Sequence, residues 1–375
     1  MKILFHLNSL GFGGAERVVS ILANAFSKKG HSVVVATEWF SEREYPLVST
    51  VNRLHVGLTE RQEAMGRIAK IVYRHMNLRR CIKEEKPDIV ISFCVKANFR
   101  AAVSLLGLST PLLVSVRNDP KIDYAPHRFS TMLMEKKASG CVFQTKEAMS
   151  FFSPAFQNRS TIIYNPLTDA FLMEADQLYD TLPRNEDDSI LRRKEIVAVG
   201  RLTAQKNHKM LVEAFSELAH QYPDYVLRIY GEPESTQIID VLNTLIKEKR
   251  LEDRVFLMPP SEQIQKKIVG SSLYVLSSDY EGMPNSLMEA LALGLPCIST
   301  DCPCGGPAML IQPGQNGLLV PVGNQKALQE AIRKVLDHPE YAAGLGHAAR
   351  GIREQVNEKL IVSKWELIIK KMTGK

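Results

Sequence analysis

With 375 residues, 45% of them hydrophobic and 23% charged, the chain has the makeup of a globular protein and the length of two ordinary domains. No run approaches the ~18 apolar residues of a membrane span, and His6, Asn8 and Ser9 break the first apolar stretch in a way no signal peptide shows. The formal charge of +6 is uneven: residues 1–170 carry 23 Lys+Arg against 14 Asp+Glu, the remainder 24 against 27, so the first half suits an anionic surface or partner.

In chain order, short β-branched apolar runs occupy residues 2–10, 31–37, 88–93, 112–116, 140–144 and 161–164. A second set follows at 195–200, 225–231, 254–258, 272–276, 296–300 and 317–320. Helical segments separate them, and that alternation predicts parallel sheets with helices on both faces. The fold class is α/β: two doubly wound Rossmann-like domains facing each other across a cleft. The reading divides the chain into residues 1–172, a polar, aperiodic linker region at 173–194 that ends Pro183-Arg184-Asn185-Glu186-Asp187-Asp188, and residues 195–355. Residues 356–375 close the chain with a helix, apolar at 360, 361, 365, 368 and 369, that returns to the N-terminal domain. The six cysteines, at 81, 94, 141, 297, 302 and 304, form no repeating pair. Cys302-Pro303-Cys304 lacks a second pair and a nearby histidine, which argues against zinc and for a reducing cytoplasm.

Gly11-Phe12-Gly13-Gly14-Ala15-Glu16 follows the first strand and opens a helix, a setting in which backbone approaches a phosphate. As a dinucleotide fingerprint it fails, because Glu16 stands where the third glycine belongs. After the first strand of the second domain comes Gly200-Arg201-Leu202-Thr203-Ala204-Gln205-Lys206-Asn207. Arg201 offers a planar fork to phosphate oxygens, Lys206 a point charge, and Asn207 a helix N-cap; the plainer reading is two solvated cations. Turns at Gly231-Glu232 and Met258-Pro259-Pro260 sit on the same sheet edge and suit a nucleobase held by backbone groups, or are ordinary loops.

Tyr280-Glu281-Gly282-Met283-Pro284-Asn285-Ser286-Leu287-Met288-Glu289 lies between two strands. Glu281 falls at a strand tip and Glu289 eight positions on, in the helix. A carboxylate at the tip with a helix N-terminus beside it suits a polyhydroxylated ligand carrying phosphates. Ser286-x-x-Glu289 also reads as a capping box, a purely structural use of Glu289.

Together these segments resemble the retaining glycosyltransferases of family 4, which have the two-domain GT-B fold. The motifs that carry the resemblance are Gly200-Arg201…Lys206-Asn207, Gly231-Glu232, Glu281…Glu289-Ala290 through Gly294-x-Pro296, and Gly314-x-Asn316-Gly317. The resemblance is closest to bacterial members that build surface polysaccharides or lipid-linked oligosaccharides from UDP-sugars. It implies Glu281, Arg201, Lys206, Arg117 and Asn118 as catalytic or cleft residues. It further implies Gly13, Gly14, Gly231, Glu232, Pro259, Met283, Pro284, Asn285, Ser286, Leu287 and Glu289 around the donor. Two departures stand out. Arg117-Asn118-Asp119-Pro120 occupies the place where many members carry a histidine, and Pro307 is followed by Ala308 where the family often has Glu.

The implied reaction moves a hexose or N-acetylhexosamine (GalNAc, GlcNAc or Gal) from a UDP-sugar to a polyprenyl-diphosphate glycan, with retention. No acidic pair stands at a strand end in a metal-binding context, so neither metal nor other cofactor is expected. Residues 61–86 intersperse Arg61, Arg67, Lys70, Arg74, Arg79, Arg80, Lys83 and Lys86 with Met65, Ile68, Ile71, Val72, Met76 and Leu78. Such a basic amphipathic helix suits an anionic membrane surface, here the inner face of a bacterial cell membrane, or else a packed helix with a solvated basic face. Nucleic acid is not expected, since stacking aromatics are missing among the cations. Two competing readings are a sugar-nucleotide epimerase acting on UDP-N-acetylglucosamine and a non-catalytic sugar-nucleotide sensor.

Overall fold

The computed structural model describes residues 1–185 and 190–375. They form two compact units, one of Met1–Pro166 with Glu358–Lys375, the other Leu167–Asn357. In the first, strands β1 (Lys2–Leu7), β2 (Ser32–Thr37), β3 (Val51–His55), β4 (Ile89–Phe93), β5 (Leu112–Ser115), β6 (Gly140–Phe143) and β7 (Thr161–Ile162) make a sheet in the order 3-2-1-4-5-6-7. In the second, β8 (Arg193–Val199), β9 (Val226–Tyr230), β10 (Val255–Met258), β11 (Ser271–Leu276), β12 (Cys297–Thr300) and β13 (Leu318–Val320) take the order 10-9-8-11-12-13. Every pairing in both sheets is parallel. Helices cover both faces, which is why central strands such as β4 are buried along their whole length and read as unbroken apolar runs.

Three expectations need correction. Strand β3 was not anticipated: Val-Asn-Arg-Leu-His is polar because it lies at the sheet edge, paired only with β2. The polar stretch from 173 is not aperiodic. A helix spans Asp169–Asp180, capped by the Thr168 side chain, and buries Phe171, Ala175 and Tyr179 at four-residue steps. This helix belongs to the second unit, so the chain passes between units at 166–167, ahead of the expected boundary. Residues 186–189 of the expected linker lie outside the described residues.

The closing helix spans Glu358–Thr373 and returns to the first unit. Its Ile361, Val362, Trp365, Ile368 and Ile369 are buried in the same core as Phe5, Phe26 and Phe93. Trp365 is fully buried, with its ring stacked 5.6 Å from that of Phe93.

The basic segment is two helices, Glu60–Glu63 and Arg67–Glu85, interrupted before Gly66. Only the second half of the longer one is anchored, through Asn77, Leu78, Cys81 and Ile82. Of the six apolar residues singled out there, Leu78 alone is buried. Ile68, Ile71, Val72 and Met76 are exposed, Ile68 to 80%. No helix among the described residues is long and apolar enough to cross a membrane.

Candidate active site

In both sheets the strand order reverses beside the first strand of the unit, between β1 and β4 and between β8 and β11. The loops leaving the carboxyl ends of such neighbouring strands diverge, and ligands of open parallel sheets bind there.

In the second unit these are the loops after β8 and β11, and their side chains meet. Lys206 ends a single 3-10 turn, Ala204–Lys206. Its Nζ donates to Glu281 Oε1 at 2.5 Å, and Ser278 Oγ donates to the same oxygen at 2.7 Å. Glu281 is 7% exposed. At that depth a polar group without hydrogen-bond partners is costly, and Lys206 and Ser278 supply them. Arg201, by contrast, is exposed and forms no ion pair with any described residue. Asn207 caps the following helix, its side chain accepting from Met210 N at 3.2 Å.

Two glycines are required here for space rather than for backbone angle. A Cβ on Gly231 would overlap the Gly200 carbonyl, and one on Gly306 would overlap the Gly282 carbonyl. The loops therefore approach within backbone contact, which no larger residue permits. Glu232 and Pro259 sit exposed on the same edge, and the Glu232 carbonyl accepts from Leu202 N at 2.8 Å.

The helix after Glu281 spans Asn285–Ala292, and no side chain caps it. The expected capping box does not form. Pro284 takes the N-cap place, Ser286 lies inside the helix, and its Oγ accepts from the buried Tyr274 hydroxyl at 2.8 Å. The N-cap thus lies two residues ahead of the serine, and so the spacing misleads. Glu289, buried to 6% exposure, is in the same helix. Met283, Pro284 and Leu287 are buried, whereas Asn285 and Ser286 are half-buried.

In the first unit, Gly13 is the N-cap of the helix Gly14–Lys28 and takes a 2.7 Å bond to the Gly11 carbonyl. Gly14 is exposed. Arg117 follows β5 and turns inward. Its guanidinium lies 4.6 Å from the Phe93 ring centre and 5.7 Å from that of Trp365, and it donates to Asn165 Oδ1 at 2.7 Å. Its Nε and second terminal nitrogen are buried without a hydrogen-bond partner, and burial lowers its pKa to about 10. Asn118 precedes Asp119, which caps the turn Pro120–Asp123 by accepting from Lys121 N. Its Nδ2 lies 3.5 Å from Asp123.

The structure also brings in residues that sequence reading passed over. Gln205, Ser277 and Asp279 tie the two second-unit loops together, and Ser278 holds Glu281 within its own loop. The one signal available was their position directly beside Lys206 and Glu281.

Residues 12–167 match the family model described as Glycosyltransferase Family 4, and residues 184–351 match that described as Glycosyl transferases group 1. An uncharacterized glycosyltransferase of Haemophilus influenzae is 25% identical over 98% of this chain and 99% of its own. A Campylobacter jejuni protein named GalNAc-alpha-(1->4)-GalNAc-alpha-(1->3)-diNAcBac-PP-undecaprenol alpha-1,4-N-acetyl-D-galactosaminyltransferase is 25% identical over 98% of each chain. The crystal structure of Anabaena HepE in complex with UDP shares the fold, with a TM-score of 0.78 at 16% identity over 99% of this chain and 100% of that one. With two Rossmann-like domains of GT-B type and matches across both, the chain belongs to the family 4 glycosyltransferases.

Proposed function

We propose that the protein transfers a hexose or N-acetylhexosamine from a UDP-sugar to a polyprenyl-diphosphate-linked glycan, with retention and without a metal. The observation that carries this reading is the buried Glu281 at the end of β11, held by Lys206 and Ser278. Beside it stands the uncapped N-terminus of Asn285–Ala292. Arg201, Lys206 and that N-terminus neutralise the charge that grows on the departing diphosphate, so they bind the transition state more tightly than the ground state. Lys206 is shared between Glu281 and the phosphate. Glu281 then accepts hydrogen bonds from donor hydroxyls and orients the ring, and Glu289 accepts from the ribose. The bond from the anomeric carbon to the phosphate oxygen breaks as the acceptor oxygen attacks from the same face. The acceptor's hydroxyl proton passes to the departing phosphate.

The Campylobacter relative's name, with its undecaprenol-linked acceptor, supports a lipid-linked glycan. The UDP complex of HepE supports the nucleotide. The first unit suits such an acceptor and a cytoplasmic position on the inner membrane face. Ile68, Ile71, Val72 and Met76 are exposed on Arg67–Glu85, and Arg61, Arg67, Arg80, Lys83 and Lys86 have no ion-pair partner among the described residues. Such a surface suits anionic lipid.

Thermal stabilisation by UDP, GDP, ADP and NAD, with and without EDTA, tests the donor site. A ligand at 100 times its dissociation constant adds about 2.7 kcal/mol to the folded state. The expected result is a UDP-selective shift that EDTA leaves unchanged. A larger shift with GDP or ADP replaces the donor, and loss of the shift in EDTA ends the metal-free reading. Turnover of UDP-N-acetylglucosamine without any acceptor would favour an epimerase instead.

A further inference from the structure

Asn207 has φ 44 and ψ 43, a left-handed conformation that costs most residues energy and that asparagine tolerates best after glycine. Its side chain is used at both ends. Oδ1 accepts from Met210 N at 3.2 Å, and Nδ2 donates to Asp279 Oδ1 at 2.8 Å. Met210 N–H can only donate and an ionised aspartate can only accept, so this pair of partners fixes the amide's orientation. Helix capping alone would be met as well by serine or aspartate. What asparagine adds is the second bond, across to the loop after β11.

That bond is one of several. Asp279 N donates to the Gln205 carbonyl at 2.8 Å, Gln205 Nε2 to the Tyr280 carbonyl at 2.8 Å, and Ser277 Oγ to the Lys206 carbonyl at 2.9 Å. Chain on both sides of Lys206 is thereby fastened to chain just before Glu281. A lysine ammonium sits on a flexible four-carbon stem. Where both of its backbone flanks are fixed, its reach is confined, here to Glu281.

We propose that Asn207 and Asp279 are positioning residues: their hydrogen bond sets the Lys206 ammonium at the distance from Glu281 that a nucleotide diphosphate requires. The proposal rests on the reading of Lys206 and Glu281 as the donor site. Asn207 and Asp279 are bonded to each other and to backbone on either side of Lys206 and Glu281, and each is assigned to act through Lys206.

The test is UDP affinity by titration calorimetry, with melting temperature and far-UV circular dichroism alongside. Asn207→Asp keeps the helix cap but sets two carboxylates face to face. Asn207→Gly keeps the left-handed backbone and removes the clamp together with the side-chain cap on Met210 N. Each weakens UDP binding by about tenfold, the cost of one lost hydrogen bond to a charged group. In Asn207→Asp with Asp279→Asn, the donor and acceptor are exchanged, the clamp re-forms, and affinity returns to within about threefold of the wild type. A purely structural role would not give rescue in affinity by the exchange.

Wild-type affinity in both Asn207→Asp and Asn207→Gly overturns the proposal, as does a folded double variant that stays weak. If the wild type itself does not bind UDP, the donor reading fails, and the clamp is judged on the crystal structure of Asn207→Asp. There, a Lys206–Glu281 contact unchanged from the wild type overturns it, and a displaced Lys206 upholds it.

Discussion

The charged side chains singled out after strands of the two units meet different partners. In the second, Lys206, Ser278 and Glu281 converge on one another, and the loops that bear them are bonded together. In the first, Arg117 lies against Phe93, the last residue of β4, and against Trp365. The same unit leaves four apolar side chains of Arg67–Glu85 exposed. The second unit thus concentrates its charge in a preorganised cluster. The first sets Arg117 against the closing helix, leaves those four apolar side chains outward, and pairs its own buried carboxylate, Glu38 after β2, with Arg74 and Arg100. A charged residue after a strand is therefore no guide to chemistry until its partners are known.

Breaking the second unit's cluster has the largest expected effect. Glu281→Gln lowers transfer about 100- to 1000-fold, the usual cost of a preorganised polar group, while UDP affinity is retained. Full activity in that variant would remove Glu281 from the mechanism. In the first unit, Trp365→Ala empties the stack on Phe93 and Arg117. It costs about 3–5 kcal/mol of stability in denaturant unfolding. A cost near that of the exposed Leu367→Ser, within about 0.5 kcal/mol, would show that the closing helix is dispensable.

Acid sharpens the comparison, because each unit buries one histidine. Burial first, then the charge of Arg100, lowers His6 to about 3; burial and then Lys206 lower His208 to about 3. Both stay neutral in the folded chain, while the unfolded chain takes up protons near pH 6.5. Their contribution is therefore complete above pH 6.5 and is lost as pH falls toward 3. Melting temperature against pH should fall less steeply below 6.5 in His208→Gln than in the wild type. Parallel curves would mean that His208 is protonated in the folded state.

A smaller effect separates the two uses of Ser286. Ser286→Ala leaves the Tyr274 hydroxyl without its acceptor and costs about 1 kcal/mol. The helix start, set by Pro284, does not move. On the first unit, Ile68→Glu changes stability by less than about 0.5 kcal/mol because the side chain is exposed. It should nonetheless abolish co-sedimentation with anionic vesicles. Wild-type sedimentation in that variant would point to a solvated helix face.

The sequence by itself determined the two-sheet architecture, twelve of the strands and the closing helix. Unbroken apolar runs arise only where both faces of a strand are covered, and a helical apolar spacing announces a buried stripe. It also set Arg201, Lys206 and Glu281 in the loops after recognisable strands and Glu289 in the helix that follows, because in a parallel sheet the loop after a strand falls at a fixed edge. Strand β3 escaped because an edge strand need not be apolar. The helix Asp169–Asp180 escaped because its buried residues are sparse. Tertiary structure alone decided which carboxylate Lys206 meets, that Ser286 serves Tyr274 and caps nothing, that Arg117 faces a tryptophan from the far end of the chain, and that Asn207 reaches Asp279. Each is a contact between residues distant in sequence, fixed by ångström-scale packing that spacing along a chain does not encode.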